Sequence, residues 1–142
     1  MKLNKVDNAV FVSADAGEYM ARLAKSKARI DAVIMDPPRA GAIEQSKILA
    51  VSNVPRVVYI SCNPATWMAD RWILERGGYK MTQCVPVDQF VGASHWEIFS
   101  VFDKDNSGKI NYSLVQDQTT FSVSGACETK VVTLIEDIWE DL

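Results

Sequence analysis

Short apolar runs alternate with helical patterns along the first half of the chain. An uninterrupted apolar run predicts a strand, and apolar residues three or four positions apart predict a helix. The strand-like runs cover residues 9–12, 30–35 and 56–61, and the helical patterns cover residues 17–28, 42–51 and 64–76. A strand–helix unit repeated three times predicts a parallel sheet with helices packed on its faces, which is an α/β fold.

Two further apolar runs, residues 79–87 and 97–102, follow without a helical pattern between them, so we expect an antiparallel pair at the edge of the sheet. Beyond them, residues 112–115 and 120–123 have strand-like patterns. Residues 127–142 carry apolar side chains at helical spacing and predict a closing amphipathic helix.

The aromatic residues and the remaining apolar positions indicate which surfaces are buried. In the helix that opens at Pro64 and ends before Gly77-Gly78, the pattern assigns Met68, Trp72 and Ile73 to the buried face. We expect packing roles for all three tryptophans of this region, because large aromatics usually serve cores; they are Trp67, Trp72 and Trp96. Cys84, inside a strand pattern, is expected to be structural.

Charge and composition narrow the class of protein. The 142 residues hold 48% hydrophobic and 23% charged residues, as in an ordinary globular domain. No apolar run is long enough to span a membrane and no signal peptide is present, so we expect a cytoplasmic protein. Three cysteines and one histidine favour reduced thiols over a disulfide framework or a zinc site. Residues 1–100 carry a net +2 and residues 101–142 a net −5, which disfavours independent RNA binding.

The chemically distinctive residues follow the predicted parallel strands, where ligands bind in open α/β sheets. Asp15, Asp36 and Cys62 come after the first, second and third strand. Cys62 directly precedes a helix N-terminus, whose field favours the thiolate of a nucleophile; the alternative is a small buried thiol. Asp36 is followed by Pro37 and Pro38, which fix the backbone; the alternative is a simple strand-ending turn.

Four successive motifs then resemble one enzyme family. They read Asp-Pro-Pro-Arg-Ala-Gly at 36–41, Ser-Cys-Asn-Pro-Ala-Thr at 61–66, Gly-Gly-Tyr at 77–79, and Val-Asp-Gln-Phe at 87–90 leading to His-Trp-Glu at 95–97. Over residues 3–102, in order and spacing, the chain is similar to the C-terminal part of the RNA uracil-5-methyltransferases, which use S-adenosylmethionine on rRNA or tRNA. The resemblance implies a Rossmann-like methyltransferase sheet.

The resemblance also implies roles for individual residues. Cys62 matches the nucleophile that adds to carbon 6 of uracil, and Glu97 matches the base that removes the proton from carbon 5, a role suited to a partly buried carboxyl of raised pKa. Asp36 and Asp15 match acids near the cofactor. On the substrate side, the matching residues are Pro37, Arg39 and Asn63, with Arg39 contacting an RNA phosphate or capping the sheet edge. His95 is expected to orient its loop.

Parts of the family's pattern have no counterpart here. We find neither the first strand with its glycine-rich turn nor the second strand with its ribose-binding acid, so we expect an N-terminally truncated catalytic domain over residues 1–102 and an acidic extension over 103–142. Catalysis by the chain alone is then not expected. The missing strands would leave a sheet edge open, which predicts a homodimer through that edge. The alternative interpretation of the chain is a non-catalytic α/β interaction module.

The start of the extension matches a second motif. Residues 103–111 follow the first nine positions of a calcium-binding EF-hand loop, but position twelve is Leu114 instead of a carboxylate. A polar hairpin turn at 106–108 is the preferred interpretation. A calcium-responsive module remains the third alternative, and no metal site is expected.

Overall fold

The computed structural model of the chain describes residues 8–26, 28–89, 92 and 95–104, together with the backbone of 131–135. Three helices and five strands occupy these residues. In chain order they are α1 (Ala16–Lys25), β1 (Ala32–Asp36), α2 (Ile43–Val51), β2 (Arg56–Ser61), α3 (Pro64–Arg76), β3 (Lys80–Val87), β4 (Glu97–Asp103) and β5 (Val131–Ile135). In the described part of the chain, no helix is long and apolar enough to cross a membrane.

The five strands form one mixed sheet in the order β3-β4-β2-β1-β5. β1 runs parallel to β2 and to β5, whereas β4 runs antiparallel to both β2 and β3. This confirms the predicted α/β fold with parallel strands and an antiparallel pair at one edge. The bounds of β2 and α3 also agree with the sequence prediction.

The first predicted strand is wrong. Residues 9–12 have no strand structure, and the side chains of Val10 and Phe11 are 87% and 80% exposed. A strand needs a neighbour that satisfies its backbone N–H and C=O groups. The two sides of β1 are taken by β2 and β5, so the chain offers this segment no place beside β1.

The predicted helix over residues 127–142 is also wrong where the structure describes it, because Val131–Ile135 is strand β5. All five of its residues pair in parallel with β1, from Ala32 to Asp36. The edge of β1 that was expected to stay open is therefore paired, and the homodimer remains an untested prediction. The strands predicted at 112–115 and 120–123 lie outside the described residues.

The core lies between the sheet and a helical layer formed by α1, α2 and α3. α2 packs against both other helices, and apolar side chains at alternate strand positions point towards them. Fully buried members of this core are Val33, Met35, Leu49, Val57, Tyr59, Leu74 and Phe102. Each large side chain buried this way contributes about 1.5–3 kcal/mol. On the opposite face of the sheet, Ile34, Val58, Ile60 and Phe99 are only half-buried.

α3 is turned differently from the prediction. Its buried residues are Trp67, Asp70 and Leu74, whereas Met68 and Trp72 are 49% and 59% exposed. Trp67 packs as expected, with its indole N–H donating to Ser100 Oγ at 3.0 Å. Packing roles for Trp72 and Trp96 are wrong: Arg76 lies over the exposed Trp72 ring, and Trp96 is 42% exposed.

Candidate active site

The fold brings the ends of three strands together. Met35 of β1 pairs with Tyr59 of β2, so Asp36 lies beside the last residues of β2. Ser61 of β2 pairs with Ile98 of β4, and the next step of that register sets Cys62 opposite Glu97. Asp36, Cys62 and Glu97 thus meet at one end of the sheet, as the parallel strands and the antiparallel return of β4 require.

The turn after β1 is fastened to the turn after β2. We call residues 37–42 the proline loop. The backbone carbonyl of Arg39 accepts hydrogen bonds from Asn63 Nδ2 at 2.9 Å and from Thr66 Oγ1 at 3.1 Å. Asn63 also caps α3, because its side-chain oxygen accepts from the N–H of Ala65 at 3.1 Å. The residue that starts α3 therefore also joins the two turns of the site.

The thiol of Cys62 is half-buried, and its pKa is raised above the usual value. Burial is the largest cause of the raised pKa, and the carboxyl of Glu97 is the next. The guanidinium of Arg39 lowers the pKa, whereas Asp36 raises it further. The expectation that the helix N-terminus makes Cys62 a ready thiolate is therefore wrong. The thiol needs a proton acceptor or a rise in pH before it can attack.

Glu97 and Asp36 share this electrostatic setting. The pKa of Glu97 is raised, first by burial and then by Asp36, while Arg39 lowers it. The pKa of Asp36 is raised by burial. The direction for Glu97 agrees with the sequence prediction. Arg39 is thus the cation of a site that otherwise holds two carboxyl groups and a thiol.

The remaining substrate-side residues lie around this group. Arg39 is exposed, and its Nη2 lies 3.4 Å from Nδ1 of the exposed His95. This contact links the proline loop to the residues ahead of β4, which suits the orienting role predicted for His95. Pro37 is buried. Cys84, by contrast, lies in β3 with an exposed side chain, so burial gives no support to a structural role.

Asp15 is not joined to this group by any interaction within the described residues. It is the exposed N-cap of α1, and its Oδ1 accepts from the N–H of Glu18 at 2.8 Å. The role predicted for it near the cofactor stays a prediction. Asp36 fits a polar ligand better, because its carboxyl is half-buried and accepts no hydrogen bond from another described residue.

Tyr59 and Asp70 support the site, and sequence reasoning missed both. Asp70 of α3 is fully buried, and its Oδ2 accepts from the N–H of Ala42 at 2.7 Å and from the hydroxyl of Tyr59 at 2.5 Å. The available signal was a carboxylate at helical spacing between Trp67 and Leu74, on what proves to be the apolar face of α3. An acid in that position needs buried donors.

Two other features of the described residues were candidates for a functional site, a metal centre and a groove between two helices, and neither involves Asp36, Cys62 or Glu97. The described residues contain no cluster of three or more potential metal ligands. Asp103, the first position of the EF-hand match, instead pairs with Arg56 through both carboxylate oxygens, at 2.6 and 2.9 Å. A groove of about 800 Å³ lies between α1 and α2, lined by Met20, Ile30 and Val54 among others. It is at the opposite end of the strands.

Comparisons with known proteins agree on one family. Residues 3–104 match the profile of tRNA (Uracil-5-)-methyltransferase. An uncharacterized RNA methyltransferase from Caulobacter vibrioides is 41% identical over 95 residues, which are 66% of this chain and 23% of that protein. The 23S rRNA (uracil(1939)-C(5))-methyltransferase of Aeromonas hydrophila is 35% identical over 71% of this chain and 23% of its own length. The chain thus spans under a quarter of these relatives.

A solved structure that resembles this chain is also a tRNA uracil methyltransferase. The tRNA (uracil-54, C5)-methyltransferase of Pyrococcus abyssi, in complex with S-adenosyl-L-homocysteine, is 30% identical to this chain, with a TM-score of 0.47. The match covers 68% of this chain and 20% of that one. Because the family profile covers well over half of the residues, the chain belongs to the tRNA (uracil-5-)-methyltransferase family.

Proposed function

We propose that this chain carries the nucleophile and the base of an RNA uracil-5-methyltransferase site. The observation that supports this most directly is the group at the strand ends, in which Glu97, Asp36 and Arg39 all influence the pKa of Cys62, and Asp36 and Arg39 also influence the pKa of Glu97. The family uses S-adenosylmethionine as its methyl donor. When bound, that cofactor supplies an electrophilic methyl group beside the uracil ring.

In this proposal, Cys62 attacks carbon 6 of the uracil ring as a thiolate, forming an S–C6 bond and pushing electrons to carbon 5. Carbon 5 is thereby made reactive enough to accept the methyl group. Glu97 then takes the proton from carbon 5, the C5–C6 double bond re-forms, and the thiolate leaves. A carboxylate of raised pKa suits this step, because its affinity for the proton is increased.

The other residues bind and orient. Asp36 offers its carboxyl, held at the end of β1 by the two prolines that follow, to a polar group of the cofactor or the base. Arg39 offers a guanidinium to an RNA phosphate at the exposed rim of the site. Asn63 keeps Arg39 and Cys62 in register through its bond to the Arg39 carbonyl.

A mechanism-based trap tests the proposal. RNA containing 5-fluorouridine is incubated with the chain and S-adenosylmethionine, and a denaturant-stable protein–RNA adduct is sought by gel electrophoresis. Fluorine at carbon 5 blocks the elimination step, so the covalent adduct accumulates. We expect the adduct to disappear in Cys62→Ser and to persist in Cys84→Ser, which removes an exposed thiol away from the site.

The trap is run on the chain alone and on a full-length relative carrying the same substitution. Because the sequence contains no glycine-rich turn against which the cofactor lies, we expect this chain to trap little RNA and the full-length relative to trap it readily. An adduct that survives in the full-length cysteine-to-serine variant would contradict the role of Cys62.

A further inference from the structure

A buried hydrogen-bond pair stands directly behind the candidate site and has no part in the chemistry described above. Tyr59 lies in β2, three residues before Cys62, and Asp70 lies in the second turn of α3. Both side chains are completely buried. The Tyr59 hydroxyl donates to Asp70 Oδ2 at 2.5 Å. The same oxygen accepts the N–H of Ala42, the last residue of the proline loop, at 2.7 Å.

The contacts of the proline loop run towards one side of α3. Its N-terminal half is held through the Arg39 carbonyl by Asn63 and Thr66, and its C-terminal end is held through Ala42 by Asp70. Thr66 and Asp70 are four residues apart and so share one face of the helix. The loop is therefore fastened to the N-cap and the first two turns of α3 by a short row of polar side chains.

Gly41 shows how closely the loop is pressed against that row. Its φ of +83° is one that residues with a Cβ rarely adopt. A Cβ built there would lie 2.8 Å from Asp70 Oδ2 and 2.9 Å from Thr66 Cβ. The loop can approach Asp70 closely enough for the Ala42 hydrogen bond only because this position is glycine.

We propose that Tyr59 and Asp70 are positioning residues that hold the proline loop so that the Arg39 guanidinium stays beside Cys62 and Glu97. Neither residue touches the substrate in this proposal. The Tyr59 hydroxyl fixes the orientation of the Asp70 carboxyl, Asp70 fixes Ala42, and the loop between Ala42 and the end of β1 carries Arg39. The inference rests on the proposed function, because it assigns Arg39 and Cys62 to one catalytic site. Its test measures only the ionisation of Cys62 and does not require methyl transfer.

Charge supports this chain of contacts. The groups that face the Cys62 thiol are Glu97 from β4, Asp36 from β1, Tyr59 from β2 and Arg39 from the proline loop. Arg39 is the cation among them, and it opposes the rise in pKa of both Cys62 and Glu97. If the loop loosens, Arg39 moves away from the thiol, and Cys62 becomes harder to ionise.

The test measures the rate of Cys62 alkylation by iodoacetamide as a function of pH, in a Cys84→Ser/Cys127→Ser background that leaves one thiol. Thiolate is the reacting form, so the midpoint of the profile reports the ionisation of Cys62. Arg39→Ala is the reference, and its midpoint should move to higher pH. Tyr59→Phe should move the midpoint in the same direction and lower the rate at pH 7 about two- to fivefold.

Tyr79→Phe is the matched control. Tyr79 is also a buried tyrosine, and its hydroxyl donates to the Val54 carbonyl at 2.7 Å, away from the proline loop. Both tyrosine variants remove one buried hydroxyl and should lower the free energy of unfolding to a similar extent. Only Tyr59→Phe should move the midpoint, which separates positioning from general loss of stability.

The proposal is overturned if Tyr59→Phe leaves the midpoint unchanged, if Tyr79→Phe moves it equally, or if Arg39→Ala does not move it. If Tyr59→Phe does not fold, Asp70→Asn replaces it. The amide keeps one acceptor oxygen in the same place but weakens its hydrogen bonds to Tyr59 and Ala42. An unchanged midpoint in that variant also overturns the proposal. The readout needs neither RNA nor cofactor. A failed adduct trap in the full-length relative, together with a shifted midpoint in this chain, would therefore reject the proposed function and keep the positioning role.

Discussion

At the scale of single residues, the chemistry of Cys62 depends on neighbours that are distant in sequence. A cysteine before a helix N-terminus suggests an easily ionised thiol, and the local sequence supports only that inference. Burial in the fold opposes this, and so does the carboxyl of Glu97, which comes from a strand that begins 35 positions later. Motif order was enough to predict Cys62, Asp36 and Glu97, whereas Tyr59 and Asp70 required knowing which face of α3 meets β2.

The raised pKa of Glu97 leads to a prediction about stability. The pKa of Glu97 in the folded protein lies above its value in the unfolded chain. At neutral pH the folded protein therefore contains a negative charge that burial and Asp36 disfavour, which lowers the free energy of unfolding. Glu97→Gln removes this cost, and we expect a higher free energy of unfolding at pH 7, measured by urea denaturation. As the pH falls below the unfolded pKa, the carboxyl is neutral in both states and the advantage of the variant should vanish.

Glu44→Gln is the control for this measurement. Glu44 is 73% exposed on α2 and pairs with Lys47, so its removal should change stability little at either pH. An advantage of Glu97→Gln that persisted undiminished at pH 3 would show that the charge of Glu97 is not its cause. A destabilised variant at pH 7 would show that the carboxylate makes favourable contacts that outweigh its burial.

At the scale of elements, the sequence around α3 predicted where the helix begins and ends. The bounds of α3 follow from the Asn63 cap, from Pro64 in the first turn and from Gly77-Gly78 at the end. Which face of α3 is buried was not predictable in this way, since Met68 and Trp72 form one apolar stripe and Trp67 and Leu74 form another. Packing against α2 and the sheet selects the second stripe and leaves the first exposed.

The end of α3 provides a test of that packing. A Cβ at Gly77 would collide with Cα of Ala50 in the backbone of α2, and the φ of −77° at Gly77 is open to any residue. Gly77→Ala should therefore act only by forcing the two helices apart. We expect a loss of about 3 kcal/mol in thermal or urea unfolding.

Gly78 is the natural comparison, because it is adjacent and has the opposite properties. Its φ is +92°, and a Cβ there would meet nothing within 4 Å. Gly78→Ala should cost only the backbone strain, about 1 kcal/mol. Equal losses for the two variants would mean that α2 can yield at Ala50 and that the close approach contributes little to the fold.

At the scale of the whole molecule, the sheet is completed by a segment from the end of the chain. The sequence predicted a helix there because residues 127–142 satisfy a helical period, yet β1 presents an unpaired row of N–H and C=O groups along its second side. Pairing with β5 satisfies that row. Such pairing between segments about 100 positions apart cannot be read from periodicity. The same pairing leaves residues 9–12 without a strand partner.

Proline substitutions at two successive positions of β5 test whether this pairing contributes to the fold. In a parallel pair, the N–H groups of neighbouring residues point to opposite sides, so only one of Val132 and Thr133 donates towards β1. Val132→Pro and Thr133→Pro should therefore differ, and the variant that loses the bond to β1 should be less stable by about 1–3 kcal/mol. In that variant the exposed edge of β1 should also promote self-association, detected by sedimentation velocity at increasing concentration. Equal stability of the two variants, with no change in sedimentation, would show that β1 does not depend on β5.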